Sequence, residues 1–294
     1  MNNKPVRITR IIRGSTVDGP GLRTVIFFKG CPLRCEWCHN PETQQLFPEI
    51  MYDARKCIHC NRCIASCQNG ALSNQHSVEI NRAACNGCFA CCSVCPSEAL
   101  MPVGTVTTIA ELFKEISKDI SYYRTSEGGV TLSGGEPLLF PEFVTALLKA
   151  CQNAGIHTCI DTSAAIPASE WSAVVPWCNL FLVDVKHANA KAVAAQTVFE
   201  NIAYLCSVSA KIWIRIPVIP DWNAEETDMK AIADALFPFK NHIEQIELLP
   251  FHSMADGKYR QLGRKWQYNK KQPVGDNQLL SIKKLFTERS LSIV

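Results

Sequence analysis

The chain alternates between two kinds of apolar pattern. Residues 22–29 are a β-branched and aromatic run, residues 130–132 form a shorter one, and strand-like runs recur at 156–160, 180–185, 211–218 and 243–249. Apolar runs this short, bounded by turn residues, suit buried strands better than helices. Between them the spacing changes to three and four. Thr108-Ile109-Ala110-Glu111 has capping-box spacing and opens a predicted helix through about residue 122, with Leu112, Ile116 and Ile120 on one face. A second helix is predicted over 141–153, closed by Gly155, and others over 168–175, 192–205, 225–236 and 277–289. Six strands alternating with helices imply a parallel sheet.

Periodicity does not say whether that sheet is doubly wound or curled into a barrel, but the polar residues bear on the choice. Glu136, Asp161, Asp184, Lys186, Arg215 and His252 each lie at or just beyond the C-terminal end of a predicted strand. Barrel enzymes gather their chemistry there. One such residue would be a cap or a turn; six from successive strands are hard to explain as six caps. Residues 51–102 interrupt the alternation after the first strand and read as an inserted module, dividing the chain into 1–50, 51–102 and 103–294.

With 294 residues, a formal net charge of +3, 47% hydrophobic and 19% charged residues and a mean hydropathy near zero, the chain has room for one large domain, or one plus a small module. Residues 1–14 carry scattered charges and no apolar region ahead of a cleavage site, so no secretory route is expected. The longest apolar uncharged stretch, 171–183, is broken by Pro176 and Asn179 and falls short of the roughly 20 residues of a membrane span. A cytoplasmic protein with no membrane partner is expected. Lys and Arg are spread along the chain, so no nucleic-acid partner is expected either.

The sixteen cysteines change the picture. In a reducing compartment, clustered cysteines bind metal or do chemistry more often than they form disulfides. Twelve fall between positions 31 and 95; Cys151, Cys159, Cys178 and Cys206 lie singly in apolar or helical surroundings and are expected to fill the core. Cys57, Cys60, Cys63 and Cys67 repeat their spacing as Cys85, Cys88, Cys91 and Cys95, the last followed by Pro96. This is the run of the bacterial two-cluster ferredoxins, in which the fourth cysteine of each run ligates the other cluster. The expected sets are Cys57, Cys60, Cys63 and Cys95 for one 4Fe-4S cluster and Cys85, Cys88, Cys91 and Cys67 for the other. Structural zinc would use two pairs separated by a longer loop. Gln68 replaces the proline expected after Cys67, and Cys92 is a spare thiol.

Cys31, Cys35 and Cys38 form a third group, with Trp37 before the last. Three thiolates leave one iron of a four-iron cluster open, and an open coordination position marks catalytic metal sites. The spacing and its aromatic resemble the signature of the radical S-adenosylmethionine enzymes. The segment Val17-Asp18-Gly19-Pro20-Gly21-Leu22-Arg23-Thr24, the run from Gly30 through Cys31, Cys35 and Cys38 to His39-Asn40-Pro41-Glu42-Thr43, and Ser133-Gly134-Gly135-Glu136-Pro137 extend the likeness. With Asp161-Thr162, Asp184-Val185-Lys186, Trp213-Ile214-Arg215 and Leu248-Leu249-Pro250-Phe251-His252 in the same order, the chain resembles the glycyl radical enzyme activating enzymes over nearly its whole length.

That resemblance implies a partial (β/α)6 barrel with the ferredoxin-like module inserted, and a glycyl radical enzyme as protein substrate. An electron from a flavodoxin- or ferredoxin-type donor would pass through the module to the cluster at Cys31, Cys35 and Cys38. S-adenosylmethionine would be cleaved to methionine and a 5'-deoxyadenosyl radical, which takes a hydrogen from a glycine α-carbon of the partner. Members with such a module mostly serve partners other than pyruvate formate-lyase.

The resemblance also implies roles for single residues. Gly134 and Gly135 let backbone approach the methionine moiety, and Glu136 holds the motif or meets the amino group. Asp184, Val185 and Lys186 meet the ribose or the carboxylate. Trp37, Cys38 and His39 line the adenine side, with His252 on the opposite wall. Asp161 and Thr162 resemble a monovalent-cation position, and Asp18 and Arg215 would hold the partner's glycine loop. Blander readings stand beside these: a turn for Gly-Gly, a strand-end cap for Asp161 and Thr162, a loop residue for His252, turn stabilisation by Asp18 and a buried ion pair for Arg215. No general acid or base is assigned. The chain departs from the family at 188–198, where an alanine-rich stretch lacks a Thr-Gly pair. Two other readings are a radical S-adenosylmethionine enzyme acting on a small molecule and a pure electron carrier. The carrier would need a fourth cysteine near Cys38, and none is there.

Overall fold

The computed structural model describes residues 4–75, 77–188 and 194–294. In chain order the strands are β1 (Val6–Ser15), β2 (Arg23–Phe28), β3 (Glu49–Tyr52), β4 (Leu72–Asn74), β5 (Val78–Ile80), β6 (Leu100–Val103), β7 (Thr105–Thr107), β8 (Gly129–Gly134), β9 (His157–Thr162), β10 (Leu180–Asp184), β11 (Ile212–Val218) and β12 (Ile243–Pro250). The six runs read as strands in the sequence become β2, β8, β9, β10, β11 and β12, which pair in that order, all parallel. β1 and then β7 extend the sheet antiparallel beyond β2. Neither of these was legible: Arg7, Thr9, Arg10 and Arg13 break the apolar run of β1, which is buried mainly near its start.

Side chains of a strand alternate between two faces. Phe181 and Val183 of β10 and Ile212, Ile214 and Ile216 of β11 join the main core beneath the helices. Their neighbours Leu180, Leu182 and Trp213 pack with Cys159 of β9 in a separate inner cluster. The inner face turns polar toward the strand ends at Ser133, Asp161 and Asp184. Residues just after β2 and just after β12 line one cavity, although five strand spacings would hold them roughly 24 Å apart in a flat sheet. The sheet therefore curls, with β12 and β7 as its end strands and the C-terminal residues bridging β12 at Ile246 and Ile293. Arg215 lies mid-strand rather than at a strand end, but pairs in register with Asp184 and Glu247.

The helices are α1 (Arg62–Ala65), α2 (Ala90–Ser93), α3 (Ile109–Ser117), α4 (Ile120–Ser126), α5 (Pro141–Asn153), α6 (Ala195–Ser207), α7 (Glu226–Leu236), α8 (Asp256–Gln261) and α9 (Asp276–Thr287). Both halves of the Thr108–Glu111 capping box form at the start of α3. The helix predicted through residue 122 breaks at Asp119, whose carboxylate accepts from Thr24 Oγ1 at 2.6 Å and pairs with Arg13. Over 168–175 there is no α-helix: short 3-10 turns, Ala168–Glu170 and Val175–Trp177, follow Pro167 and contain Pro176. Much of the alanine-rich stretch after Lys186, and the first two residues of the helix predicted from 192, lie outside the described residues.

Between β2 and β8 the chain leaves the sheet. β3 pairs antiparallel with β6, and β4 with β5. Ile50, Cys63, Leu72, Val78, Cys91 and Leu100 form a small core of their own. Among the described residues no helix is long and apolar enough to cross a membrane.

Candidate active site

A cavity of about 450 Å³ opens at the C-terminal ends of the parallel strands, and Cys31, Cys35 and Cys38 line it from the loop after β2. Burial pushes the Cys31 thiol up to about 11 and the Cys38 thiol up to about 12, and raises Cys35 as well. Three half-buried thiols that resist ionisation alone are suited to a cationic centre, which deprotonates the sulfurs it coordinates. Among the described residues no three His, Cys, Asp or Glu side chains converge as one metal ion would require. The cysteines ring cavities instead.

The cysteine loop has little structure of its own and is held from outside. Lys258 of α8 donates to the His39 carbonyl (3.0 Å), Asn40 Oδ1 (2.8 Å) and Glu42 Oε1 (2.8 Å). Trp266 Nε1 donates to the Glu36 carbonyl at 2.9 Å, and Arg264 to the Pro41 carbonyl at 2.8 Å. Trp37 lines the cavity yet is only 7% exposed, packed with Ile219, Phe251, Tyr259, Trp266 and Tyr268, its ring 4.6 Å from that of Trp222. Lys258, Arg264 and Trp266 went unnoticed in the sequence, where their only signal was aromatic and basic density after position 258.

Several expected placements need correction. Glu136 is fully buried and does not line the cavity. Its carboxylate accepts from Thr162 Oγ1 (2.8 Å), the Ser163 N–H (2.9 Å) and Ser163 Oγ (2.6 Å), so it ties β8 to β9 and leaves no oxygen for an amino group. Burial raises its pKa against the lowering effect of those donors. Val185 is buried in the main core, on the far side of the sheet. Gly134 and Gly135 do line the cavity, but a Cβ on Gly134 would lie 2.4 Å from Phe28 N, and one on Gly135 2.0 Å from the Gly30 carbonyl. Glycine is required there by the crossing of two backbones. His252 does not face His39 across the cavity: the rings stack with centroids 3.9 Å apart. Burial, then the neighbouring His252, push His39 down to about 4, and burial lowers His252 too. The pair is neutral at pH 7.

Deeper in the cavity the charges converge. Lys186 Nζ donates to Asp184 Oδ2 at 2.7 Å, and Asn223 fixes that corner by donating to the carbonyls of Lys186 and Pro217. Arg215 faces three carboxylates, Asp161 at 3.4 Å, Glu247 at 3.5 Å and Asp18 at 3.8 Å. Asp161 also accepts from Ser133 Oγ at 2.6 Å. Burial pushes Asp161 up to about 6 although Arg215 opposes it. The turn that carries Asp18 is anchored by buried Arg23, which donates to Thr131 Oγ1 at 2.6 Å and to the Pro20 carbonyl at 3.0 Å. Thr131 Oγ1 in turn donates to the Asp18 carbonyl at 2.7 Å.

The remaining cysteines gather in two places. Cys57, Cys60, Cys63 and Cys95 line one small cavity, and Cys67, Cys85, Cys88 and Cys91 line another. Cys151, Cys159 and Cys206 are buried and Cys178 half-buried, as fillers would be.

Residues 84–231 match the radical SAM superfamily, and residues 17–79 a 4Fe-4S single cluster domain. The choline trimethylamine-lyase activating enzyme of Oleidesulfovibrio alaskensis is 37% identical over 96% of this chain and 93% of its own. The benzylsuccinate synthase activating enzyme of Thauera aromatica is 37% identical over 89% and 83%, and the 4-hydroxyphenylacetate decarboxylase activating enzyme of Clostridioides difficile 34% identical over 95% and 92%. A radical SAM methyltransferase from Sphaerobacter thermophilus shares the fold, with a TM-score of 0.55 at 10% identity over 99% of this chain and 76% of that one. Similarity at this level over nearly full length, joined to an iron–sulfur signature at the mouth of a parallel sheet, identifies the chain as a radical SAM enzyme of the glycyl radical enzyme activating family.

Proposed function

We propose that the chain activates a glycyl radical enzyme other than pyruvate formate-lyase and that it works with three 4Fe-4S clusters. One would sit on Cys31, Cys35 and Cys38, and the other two on the crossed sets Cys57, Cys60, Cys63, Cys95 and Cys85, Cys88, Cys91, Cys67 within a ferredoxin-like insertion. The observation that carries the reading is a single cavity lined by three open-site cysteines, by Asp184 and Lys186, and by Asp18 and Arg215. Four thiols around each smaller cavity support the crossed sets, and the names of the relatives support the partner class.

When bound, the site cluster and S-adenosylmethionine supply the 5'-deoxyadenosyl radical that takes hydrogen from the partner's glycine. The chain's own residues bind and orient. Lys186, backed by Asp184, offers donors to a carboxylate or ribose. The neutral His39–His252 stack gives a flat wall for a purine. Arg215 and Asp18 present a donor and an acceptor suited to the backbone of an inserted loop. Glu136 and Arg23 position the cavity walls without entering the cavity. Ser133 and Arg215 engage the oxygens of Asp161, the position that the resemblance gives to a monovalent cation. An electron from a flavodoxin- or ferredoxin-type donor would enter through the insertion.

Anaerobic reconstitution tests this reading. About twelve irons per chain are expected for three clusters, and a glycyl radical should appear by electron paramagnetic resonance when reductant, S-adenosylmethionine and a cognate partner are added. Close to four irons would remove the insertion's clusters. Cleavage of S-adenosylmethionine without a radical on any partner would favour a small-molecule substrate.

A further inference from the structure

The two auxiliary cavities are related by an internal repeat and differ in the polar groups that line them. Each cysteine of the first run recurs 28 positions later, Cys57 as Cys85 and Cys67 as Cys95. The backbone repeats with it: Asn61 and Phe89 both adopt left-handed φ, 56° and 63°, before the one-turn helices α1 and α2. At the same offset Tyr52 of β3 corresponds to Ile80 of β5, and Ser97 to Asn69. Tyr52 and Ser97 both line the cavity of Cys57, Cys60, Cys63 and Cys95. The Tyr52 hydroxyl is buried and finds no acceptor for its proton, with the Val78 N–H and the Cys57 sulfur beside it. Ser97 Oγ lies 3.8 Å from Cys95 Sγ. The other cavity meets Ile50 from the same strand, β3, and the donors at its sulfurs are the Ala71 N–H, 3.2 Å from Cys67 Sγ, and the thiol of Cys92 beside Cys91.

A buried hydroxyl with no acceptor is costly to keep, and an ionised sulfur is the acceptor it lacks. We propose that Tyr52 donates a hydrogen bond to the Cys57 sulfur when that cavity holds its cluster, and so raises the reduction potential of this cluster. The inference rests on the two-cluster reading of the insertion. Its physical basis is electrostatic: reduction adds negative charge, and a donor dipole aimed at a ligand sulfur stabilises the reduced form. Ser97 acts in the same sense on Cys95.

The test is a redox titration of the reconstituted full-length chain, followed by electron paramagnetic resonance, with Tyr52→Phe, which removes one oxygen and keeps the ring. The expected result is a reduction equilibrium constant about tenfold smaller for one auxiliary cluster, or 59 mV for a one-electron couple, with the other unchanged. The shifted signal should be the one lost in Cys60→Ser. If Tyr52→Phe fails to retain its full iron, Ser97→Ala should give a smaller shift of the same sign in the same cluster. Unchanged potentials at full iron content, or a shift in the cluster of Cys67, Cys85, Cys88 and Cys91, would overturn the proposal. A wild-type chain with only about four irons by cysteine ligation would instead overturn the two-cluster reading beneath it.

Discussion

The chain carries cysteines in two regions that are held together by different means. In the segment between β3 and β6, the backbone around the cysteines is fixed from nearby: Cys67 N–H bonds to Ile64, Ser66 Oγ to Cys63, Asn81 N–H to Ala71 and Cys95 N–H to Cys92. The loop of Cys31, Cys35 and Cys38 has a few such bonds, Cys38 N–H to Cys35 and Cys31 N–H to Gln44, but is also fixed from far away, by Lys258 and Trp266 more than 200 positions later. The difference follows from what each region has to do. Holding a cluster requires only four sulfurs at the right spacing, which a local turn can supply. Presenting an open iron to a substrate requires the loop to be aligned with groups on β8, β10 and β11, and only contacts that span the fold can set that alignment. Local geometry makes the insertion robust, and borrowed geometry makes the active site sensitive to distant changes.

The largest expected effect separates the two regions outright. Cys35→Ala should abolish reductive cleavage of S-adenosylmethionine, measured as 5'-deoxyadenosine formed, while the iron and resonance signals of the insertion persist. Loss of all signals together would mean that the regions are not independent. Next comes the clamp. Lys258→Met removes three hydrogen bonds to residues 39–42 and keeps most of the side chain's volume. By the scale of outer-shell substitutions around metal sites, S-adenosylmethionine affinity should weaken about 10–100-fold, with auxiliary signals unchanged and Lys258→Arg partly restoring binding. Unchanged affinity in Lys258→Met would show that the aromatic packing around Trp37 suffices to seat the loop.

The same contrast explains which features were legible in the sequence. The six parallel strands are continuous apolar runs because both faces of each are covered through much of their length. The gathering of eight cysteines around two small cavities follows from a spacing repeated within a short stretch of chain. Of the two roles read for Glu136, its bonds to Thr162 and Ser163, at and just past the end of β9, agree with holding the motif and not with meeting an amino group. The stacking of His39 on His252 depends on how far the sheet curls, and no periodicity carries that curvature. Lys258 is a single lysine on a six-residue helix, so nothing in its surroundings marks it. The helix expected over 168–175 failed on Pro167 and Pro176, which favour the tight turns that formed.

A third expectation concerns the floor of the cavity. Arg23 is fully buried and supplies the donors that hold the turn of Pro20 and the side chain of Thr131. Arg23→Met leaves those acceptors buried without donors, a cost of about 1–3 kcal/mol. The denaturant midpoint of the barrel should fall, and the resonance signals of the insertion should be untouched below that midpoint. A fall in stability that strips the auxiliary clusters at the same denaturant concentration would show that the barrel and the insertion unfold as one unit, and the contrast between local and borrowed geometry would then apply to binding alone.

The smallest effect is a pH dependence that belongs to the barrel. Burial, then the charge of Arg23, push His157 down to about 4, below its ordinary 6.5. The folded chain therefore prefers the neutral ring. Stability that is fully present above 6.5 is lost as the pH falls through about 4, because the unfolded chain takes up the proton first. Carboxylates titrate in the same window, so the useful quantity is the difference between the wild type and His157→Gln, read as thermal midpoints from pH 7 to pH 4. The wild type should lose more than the variant, with the gap opening below 6.5 and levelling off near 4. A constant gap would mean that His157 contributes packing alone. A gap with the opposite slope would place a proton on the folded ring beside Arg23, contrary to the burial and charge around it.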